Sequence, residues 1–327
     1  MRLWLSVIAL WASLAAAAHA DALAAARARG HLTCGIAGDQ PGLSYVDSRG
    51  VVTGFEADVC RAVAAAIFGS ADRIAFRRLA TIRDFLAAPE VDLVVHGLTW
   101  TFAREARLDV RFGPITFYDG QAVLVPRRLE ARSIADLAGR SLCVRQGGER
   151  VANLQRAVAA ADVRALPDRS AAETAFFAGE CDALSADATE LAAALLVRPQ
   201  HGADYVVLPE RLSKEPLAPL LRRGDDDLLD VVRWTVFALI EAEELDVSRA
   251  NVDERADDSE PRLRDLRASE SPRLGLAPGW TVAVVRAVGN YGEIYARNVG
   301  SGTPAGMDRG LNALWRDGGL MYAPPIR

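Results

Sequence analysis

Three residues just past an apolar run have the types and spacing to hold an anion. The run "VDLVV" (Val91 to Val95) reads as a buried strand, and beyond it come Thr99, Thr101 and Arg104, the last in the first turn of what reads as a helix. A helix N-terminus already carries partial positive charge and unpaired N–H groups, so an arginine there is unfavourable unless an anion lies nearby. Two threonine hydroxyls, free helix N–H groups and a guanidinium fork together suit a carboxylate, which the arginine can grip bidentately. The plainer alternative is a threonine cap followed by a surface arginine paired with a glutamate.

A complementary charge lies further along. The segment "CDALSAD" reads as a short strand ending in Asp187, followed by the helix "ATELAAALL". A carboxylate at the C-terminal end of such a strand sits where open α/β sheets bind ligands; its plainer role is to cap the helix. An arginine and an aspartate on opposite walls of a cleft would clamp a zwitterion.

Other chemistries have little support. The chain has no G-x-x-x-x-G-K-[ST] and no G-x-G-x-x-G after a strand, so no nucleotide cofactor is expected. His31, His96 and His201 are widely separated and form no H-x-x-x-H pair, so no metal site is expected either. A G-x-S-x-G nucleophile elbow is also missing.

The elements that would position these residues alternate. "LTCGI", "RIAFRRL" and "VDLVVHG" read as strands, with helices in "GFEADVCRAVAAAIFG" and "TIRDFLAAPE". A second set follows: strands in "SLCVRQGG", "VRALP" and "CDALSAD", with helices around Val151 to Ala161 and in "SAAETAFFAGE". Alternation of this kind implies βαβ units and parallel sheets, here in two α/β lobes. The extended, proline-punctuated stretches "FGPITFYDGQAVLVPRR" and "YVVLPERLSKEPLAPLLRRGDDDL" read as connectors crossing between the lobes, and two crossings at one place make a hinge beside a cleft. A long helix, "DDDLLDVVRWTVFALIEAEEL", follows the second crossing.

With 327 residues, half of them hydrophobic, the chain can bury a sizeable core in more than one lobe. Residues 1–20 combine a charged start at Arg2, an apolar run and a small-residue site ending at Ala20, which is the pattern of a secretory signal peptide. The apolar run is short for a membrane anchor. Cleavage before Asp21 leaves 37 basic against 43 acidic residues, a formal charge of −6, which argues against nucleic acid as a partner. Export exposes Cys34, Cys60, Cys143 and Cys181 to oxidising conditions. Four cysteines allow three pairings; the sequence-local ones, Cys34 with Cys60 and Cys143 with Cys181, are the expectation, with free buried thiols as the alternative.

Taken together, "GFEADVCRAVAAAIFG", "TWTFAR", "FYDGQAVLVP", "LSKEPLAPLLRRGDD", "FALIEAEEL", "NVDE", "VGNYGEIYARNVG" and "RGLNALWRDGGLMYAPPIR" resemble the general L-amino-acid-binding proteins of ABC importers, in the polar-amino-acid class of periplasmic solute-binding proteins. The resemblance spans essentially the whole mature chain. It implies an α/β fold of the type II periplasmic-binding-protein kind, two hinged lobes with a ligand cleft between them. The lobes fall at residues 21–123 and 214–327, with a C-terminal extension, for the first, and 124–213 for the second. It also implies a non-enzymatic periplasmic monomer, free of cofactor, that captures an L-amino acid and delivers it to an ABC permease in the inner membrane. On the family's pattern Arg104, five residues after Thr99, grips the ligand carboxylate and Asp187 binds its amine, with Thr101 kept beside them as a candidate from its position.

Several positions depart from that pattern. Where the family has Q-x-G-T-T, whose threonine also touches the carboxylate, this chain has "RQGGERV", placing Gly148, Glu149 and Arg150 there. His96, Gly97 and Leu98 replace R-N-T ahead of the tryptophan motif, and Ala37 replaces an asparagine after the first strand. A negative Glu149 near a carboxylate would weaken binding unless Arg150 or a basic ligand compensates. Two other readings follow from these changes: a dehydratase-like enzyme on the same scaffold using Glu149 or His96 as acid or base, and a divergent paralogue for another small carboxylate.

Overall fold

In the computed structural model, which describes residues 21–198, 204–257 and 260–327, the stretch 1–20 read from sequence as a signal peptide and His201 lie outside the described residues. The first described element is α1 (Ala22–Arg29), capped by Asp21, whose carboxylate accepts the Leu23 N–H at 3.0 Å. It is followed by β1 (Leu32–Ile36) and a small antiparallel sheet of β2 (Asp39–Gln40), β3 (Ser44–Val46) and β4 (Val52–Thr53). Then come α2 (Phe55–Phe68), β5 (Ile74–Arg78), α3 (Ile82–Leu86), β6 (Leu93–Val94), α4 (Phe102–Arg107) and β7 (Val110–Phe112). The helix in "TIRDFLAAPE" is cut to α3 because Pro89 disfavours helical conformation in the residue before it.

The chain crosses on β8 (Phe117–Asp119) and builds β9 (Gln121–Pro126), β10 (Ser141–Arg145), α5 (Arg150–Ala157), β11 (Asp162–Leu166), α6 (Arg169–Phe177), β12 (Ala183–Asp187), α7 (Ala188–Leu196) and β13 (Tyr205–Val207). It returns on β14 (Glu215–Leu217), which pairs antiparallel with β8 so that Glu215 faces Asp119 across the crossing. β15 (Leu220–Arg222) and α8 (Asp226–Glu244) follow, then α9 (Pro261–Ala268), α10 (Trp280–Val288) and α11 (Tyr291–Asn298). α5 ends at Ala157 rather than Ala161, since the Ala159 carbonyl accepts the Gly139 N–H at 3.0 Å instead of serving the helix.

Neither five-stranded sheet is wholly parallel, contrary to the expectation from strand and helix alternation. The orders are β5-β1-β6-β15-β7 and β11-β10-β12-β9-β13, and in each the fourth strand runs opposite to its neighbours. That strand is the one delivered by a crossing. It enters where the parallel strands end, so it must run back along them: Gln121, at the start of β9, pairs with Asp187 at the end of β12, and Leu220 pairs with Val94. The second sheet thus begins at Gln121. Both sheets point their C-terminal edges at the crossings, which puts the loops after β6, β10 and β12 around one cleft.

Disulfides join Cys34 to Cys60, tying β1 to α2, and Cys143 to Cys181, tying β10 to the turn before β12. Each lies within one lobe. The largest core packs α2, α8, α10 and α11 on one face of the first sheet, and the last of these reaches the hinge. Phe117 of β8 packs edge-on against Phe55 (5.5 Å) and stacks on Tyr295 (5.7 Å), and the Tyr291 hydroxyl donates to the Thr116 carbonyl at 3.0 Å. Beyond α11, Asn312 accepts the Tyr118 N–H at 2.7 Å and donates to the Tyr118 carbonyl at 3.0 Å, acting as a short strand partner for β8.

Candidate functional site

The segment after β6 runs as a short strand against the returning crossing: Thr99 bridges Leu217, and the Trp100 N–H donates to the Pro216 carbonyl at 2.8 Å. Thr101, in extended conformation, then caps α4, its hydroxyl accepting the Arg104 N–H at 3.2 Å. This local geometry sets the half-buried Arg104 side chain back over Thr99, whose carbonyl accepts from Nη1 at 2.5 Å. Nε and Nη2 have no partner among the described residues. Burial lowers the Arg104 pKa and the Glu215 carboxylate raises it, with burial prevailing. The Thr99 hydroxyl does not stand free for a ligand; it donates to Glu215 Oε2 at 2.5 Å. Beside Arg104, Phe102 is 88% exposed, an aromatic face left to solvent at the rim of the cleft.

On the other lobe Asp187 occupies both positions read from the sequence, the end of β12 and the cap of α7. Its N–H donates to Glu190 Oε2 at 3.4 Å. Its carboxylate accepts from Arg150 Nη2 at 2.5 Å, and the same nitrogen lies 3.8 Å from Glu190. Burial and the Glu190 and Glu215 charges push Asp187 up to about 6 from 3.8, against the pull of Arg150. Burial also acts to lower the Arg150 pKa, but Asp187, Glu190 and Glu215 together raise it. Beyond burial, one arrangement raises both. A single guanidinium faces three carboxylates, so it is well held while each carboxylate is short of positive charge.

Gly147 and Gly148 have φ of +94° and +64°, the left-handed region that favours glycine, and they turn the exposed loop between β10 and α5. Gly148 and Glu149 are exposed there, and Arg150, the first residue of α5, pairs with Asp187. His96 is bonded through Nε2 to the Leu79 carbonyl at 2.7 Å.

Reasoning from sequence overlooked Glu215, Glu190, Gln40 and Thr189. Glu215 interacts electrostatically with Arg104, Arg150 and Asp187, so the two halves of the proposed clamp converge on it. The signal for it was a charged residue at a turn-back into an apolar strand, in "LSKEPLAPLL". Gln40 Nε2 donates to Thr189 Oγ1 at 3.1 Å, joining the small sheet of the first lobe to α7 of the second. Thr189 in turn donates to Asp119 Oδ2 at 2.5 Å, and burial holds that carboxyl up at about 7. A cavity of about 810 Å³ lies between the crossing strands and the C-terminal segment, with Tyr118, Lys214, Glu215, Arg309 and Leu311 in its walls. Neither Arg104 nor Asp187 lines it.

Comparison with known proteins places this geometry in context. Residues 32–250 match the bacterial extracellular solute-binding proteins, family 3. The chain is 37% identical over 324 residues to the general L-amino acid-binding periplasmic protein AapJ of Rhizobium johnstonii, covering 96% of this chain and 95% of that protein. It is 39% identical over 330 residues to the glutamate/glutamine/aspartate/asparagine-binding protein BztA of Rhodobacter capsulatus, covering 98% and 97%. Among solved structures, an ABC transporter periplasmic binding protein from Brucella ovis with glutathione bound superposes with a TM-score of 0.81 at 37% identity, over 94% of this chain and 100% of that one.

Proposed function

The chain belongs to the bacterial extracellular solute-binding proteins, family 3, and we propose that it captures an L-amino acid between its lobes in the periplasm and hands it, as a monomer, to an ABC permease of the inner membrane. The observation that carries this reading is the placement of opposite charge on opposite walls. Arg104 on the first lobe has guanidinium donors to spare for an α-carboxylate, and the electron-rich cluster of Asp187, Glu190 and Glu215 suits an ammonium. The paired crossings β8 and β14 allow the lobes to close on the ligand, and closure strengthens both charge contacts by removing water. The near full-length relatives are periplasmic or amino-acid-binding by name, which supports the same reading.

The non-enzymatic reading is supported by the relatives, which are binding proteins by name, and by the exposed position of Glu149 on its loop.

The test is a panel of the L-amino acids and glutathione against protein stripped of bound ligand, read by thermal shift and calorimetry, with mass analysis for product. Stoichiometric, saturable binding of one or more amino acids without turnover is expected. Failure of every L-amino acid to bind, or appearance of a new product, would overturn the reading.

A further inference from the structure

Asp187, Glu190 and Glu215 each have a hydrogen-bond donor before any ligand arrives. Asp187 accepts from Arg150 Nη2 at 2.5 Å, Glu190 accepts the Asp187 N–H at 3.4 Å, and Glu215 accepts from the Thr99 hydroxyl at 2.5 Å and the Ser213 hydroxyl at 3.1 Å. The unused hydrogen-bonding capacity belongs to the two guanidinium groups. Nε and Nη2 of Arg104 have no partner among the described residues, and on Arg150 only Nη2 is hydrogen-bonded, with Nε enclosed by protein and without an acceptor. Glu215 interacts electrostatically with both arginines, which puts them at one site.

The group that meets Asp187 is therefore a cation that can only donate. A ligand ammonium is another, so it reaches Asp187 only once the guanidinium has turned to the neighbouring carboxylates, Glu190 at 3.8 Å and Glu215. The surplus negative charge of this wall still draws an ammonium, and the cost of turning Arg150 offsets that attraction. A hydroxyl or keto oxygen at the ligand α-carbon requires no such movement: it accepts from the guanidinium, and Asp187 keeps its partner. Sites whose carboxylate relies on the ligand for its counter-charge reject amine-free analogues, because these leave a desolvated anion unpaired. Here the protein supplies that charge itself.

We propose that Arg150 is a built-in counter-ion for Asp187 and so opens the cleft to α-hydroxy and α-oxo carboxylates, held through the carboxylate at Arg104 and through the α-oxygen at Arg150. The proposal rests on Arg104 as the carboxylate grip of the amino-acid reading above and extends the ligand class beyond amines.

L-α-hydroxy acids keep the shape of the matching L-amino acids and exchange the ammonium for a hydroxyl, so the affinity ratio within matched pairs is the measurement. The pairs are lactate with alanine, α-hydroxyisocaproate with leucine, phenyllactate with phenylalanine and α-hydroxyglutarate with glutamate. Calorimetry at about pH 8 on the stripped wild-type protein should place the hydroxy acid within about tenfold of its amino acid in the best-bound pair. Arg150→Met leaves Asp187 to be paired by the ligand alone, so the same ratio should move by about tenfold or more in favour of the amino acid. A hydroxy acid weaker than that in the wild-type protein overturns the proposal whether or not the variant folds, and so does a ratio that the substitution leaves in place. Amino acids bound with every hydroxy acid excluded would overturn this inference alone. Hydroxy acids bound with every amino acid excluded would overturn the amino-acid reading while supporting this one, and no binding by either set would overturn both.

Discussion

Gln40 and Thr189 are joined by a side-chain hydrogen bond of 3.1 Å that runs from the first lobe to the second. Thr189 is fixed from behind by Asp119 of the crossing strand, so the bond links the small sheet, α7 and the hinge in one line. A bond of this kind forms only when the lobes approach. Gln40→Ala should destabilise the closed arrangement by about 1 kcal/mol, weakening ligand binding about fivefold through faster release. Stopped-flow dissociation would check it; an unchanged release rate would mean that the lobes close without this contact.

Arg104 is expected to dominate ligand affinity. Arg104→Ala should cost about 2–5 kcal/mol of binding, as expected when one side of a desolvated charge pair is removed. Arg104→Lys should recover only part, because an ammonium cannot both hold the Thr99 carbonyl and present a planar fork to a carboxylate. The side chain is half-buried at the cleft rather than in a core, so the melting temperature should hardly move. Unchanged affinity in folded Arg104→Ala would remove the carboxylate assignment.

Asp187 should make binding fall at mildly acidic pH. Its carboxyl is raised from 3.8 to about 6, so it is ionised at pH 7.5 and mostly protonated at pH 5, and only the carboxylate pairs with an ammonium. A bound ammonium favours the ionised form and lowers the pKa, so affinity rises with pH up to about 6 and then levels off, with protons released on binding in between. The groups sharing this field are Arg150, Glu190, Glu215 and the buried Asp119, whose own carboxyl is raised to about 7 and repelled by Asp187. Calorimetry at pH 6 in buffers of different ionisation heat should give buffer-dependent enthalpies that converge at pH 7.5. Equal enthalpies at pH 6 would argue that the amine is held elsewhere.

Reduction should lower the melting temperature. The disulfides close loops with sequence separations of 26 and 38 residues, worth about 3–4 kcal/mol each if they act by restricting the unfolded chain. Replacing Cys143 and Cys181 together by Ser should destabilise the second lobe while ligand affinity, measured well below melting, stays within a few-fold. A melting temperature unaffected by reductant would show that the bridges contribute nothing to stability.

Local pattern carried much of this protein. The apolar run "LTCGI" coincides with β1, "ATELAAALL" with α7, and the acid-led amphipathic stretch from Asp226 to Glu244 with α8, because each is decided by periodicity and caps within a few residues. Thr101 as a cap and Asp187 at a strand end were legible for the same reason, and the cysteine pairs were close enough in sequence to be read together. What the sequence did not disclose depends on how distant segments meet. That β9 and β15 run against their neighbours follows from the crossings entering at the cleft edge, which no local period records. The bonds from Asn312 to Tyr118 and from Tyr291 to Thr116, which place the C-terminal segment on the hinge, span long stretches of chain. Glu215 between Arg104 and Asp187 is likewise a product of the return crossing, and the Arg150 to Asp187 pair arises because β10 and β12 are neighbours whose loops open on one side. Residue type and spacing determined which charges were available; only the folded arrangement of two crossings and two sheet edges decided which of them face each other, since electrostatic and hydrogen-bond energies depend on separation in space and not along the chain.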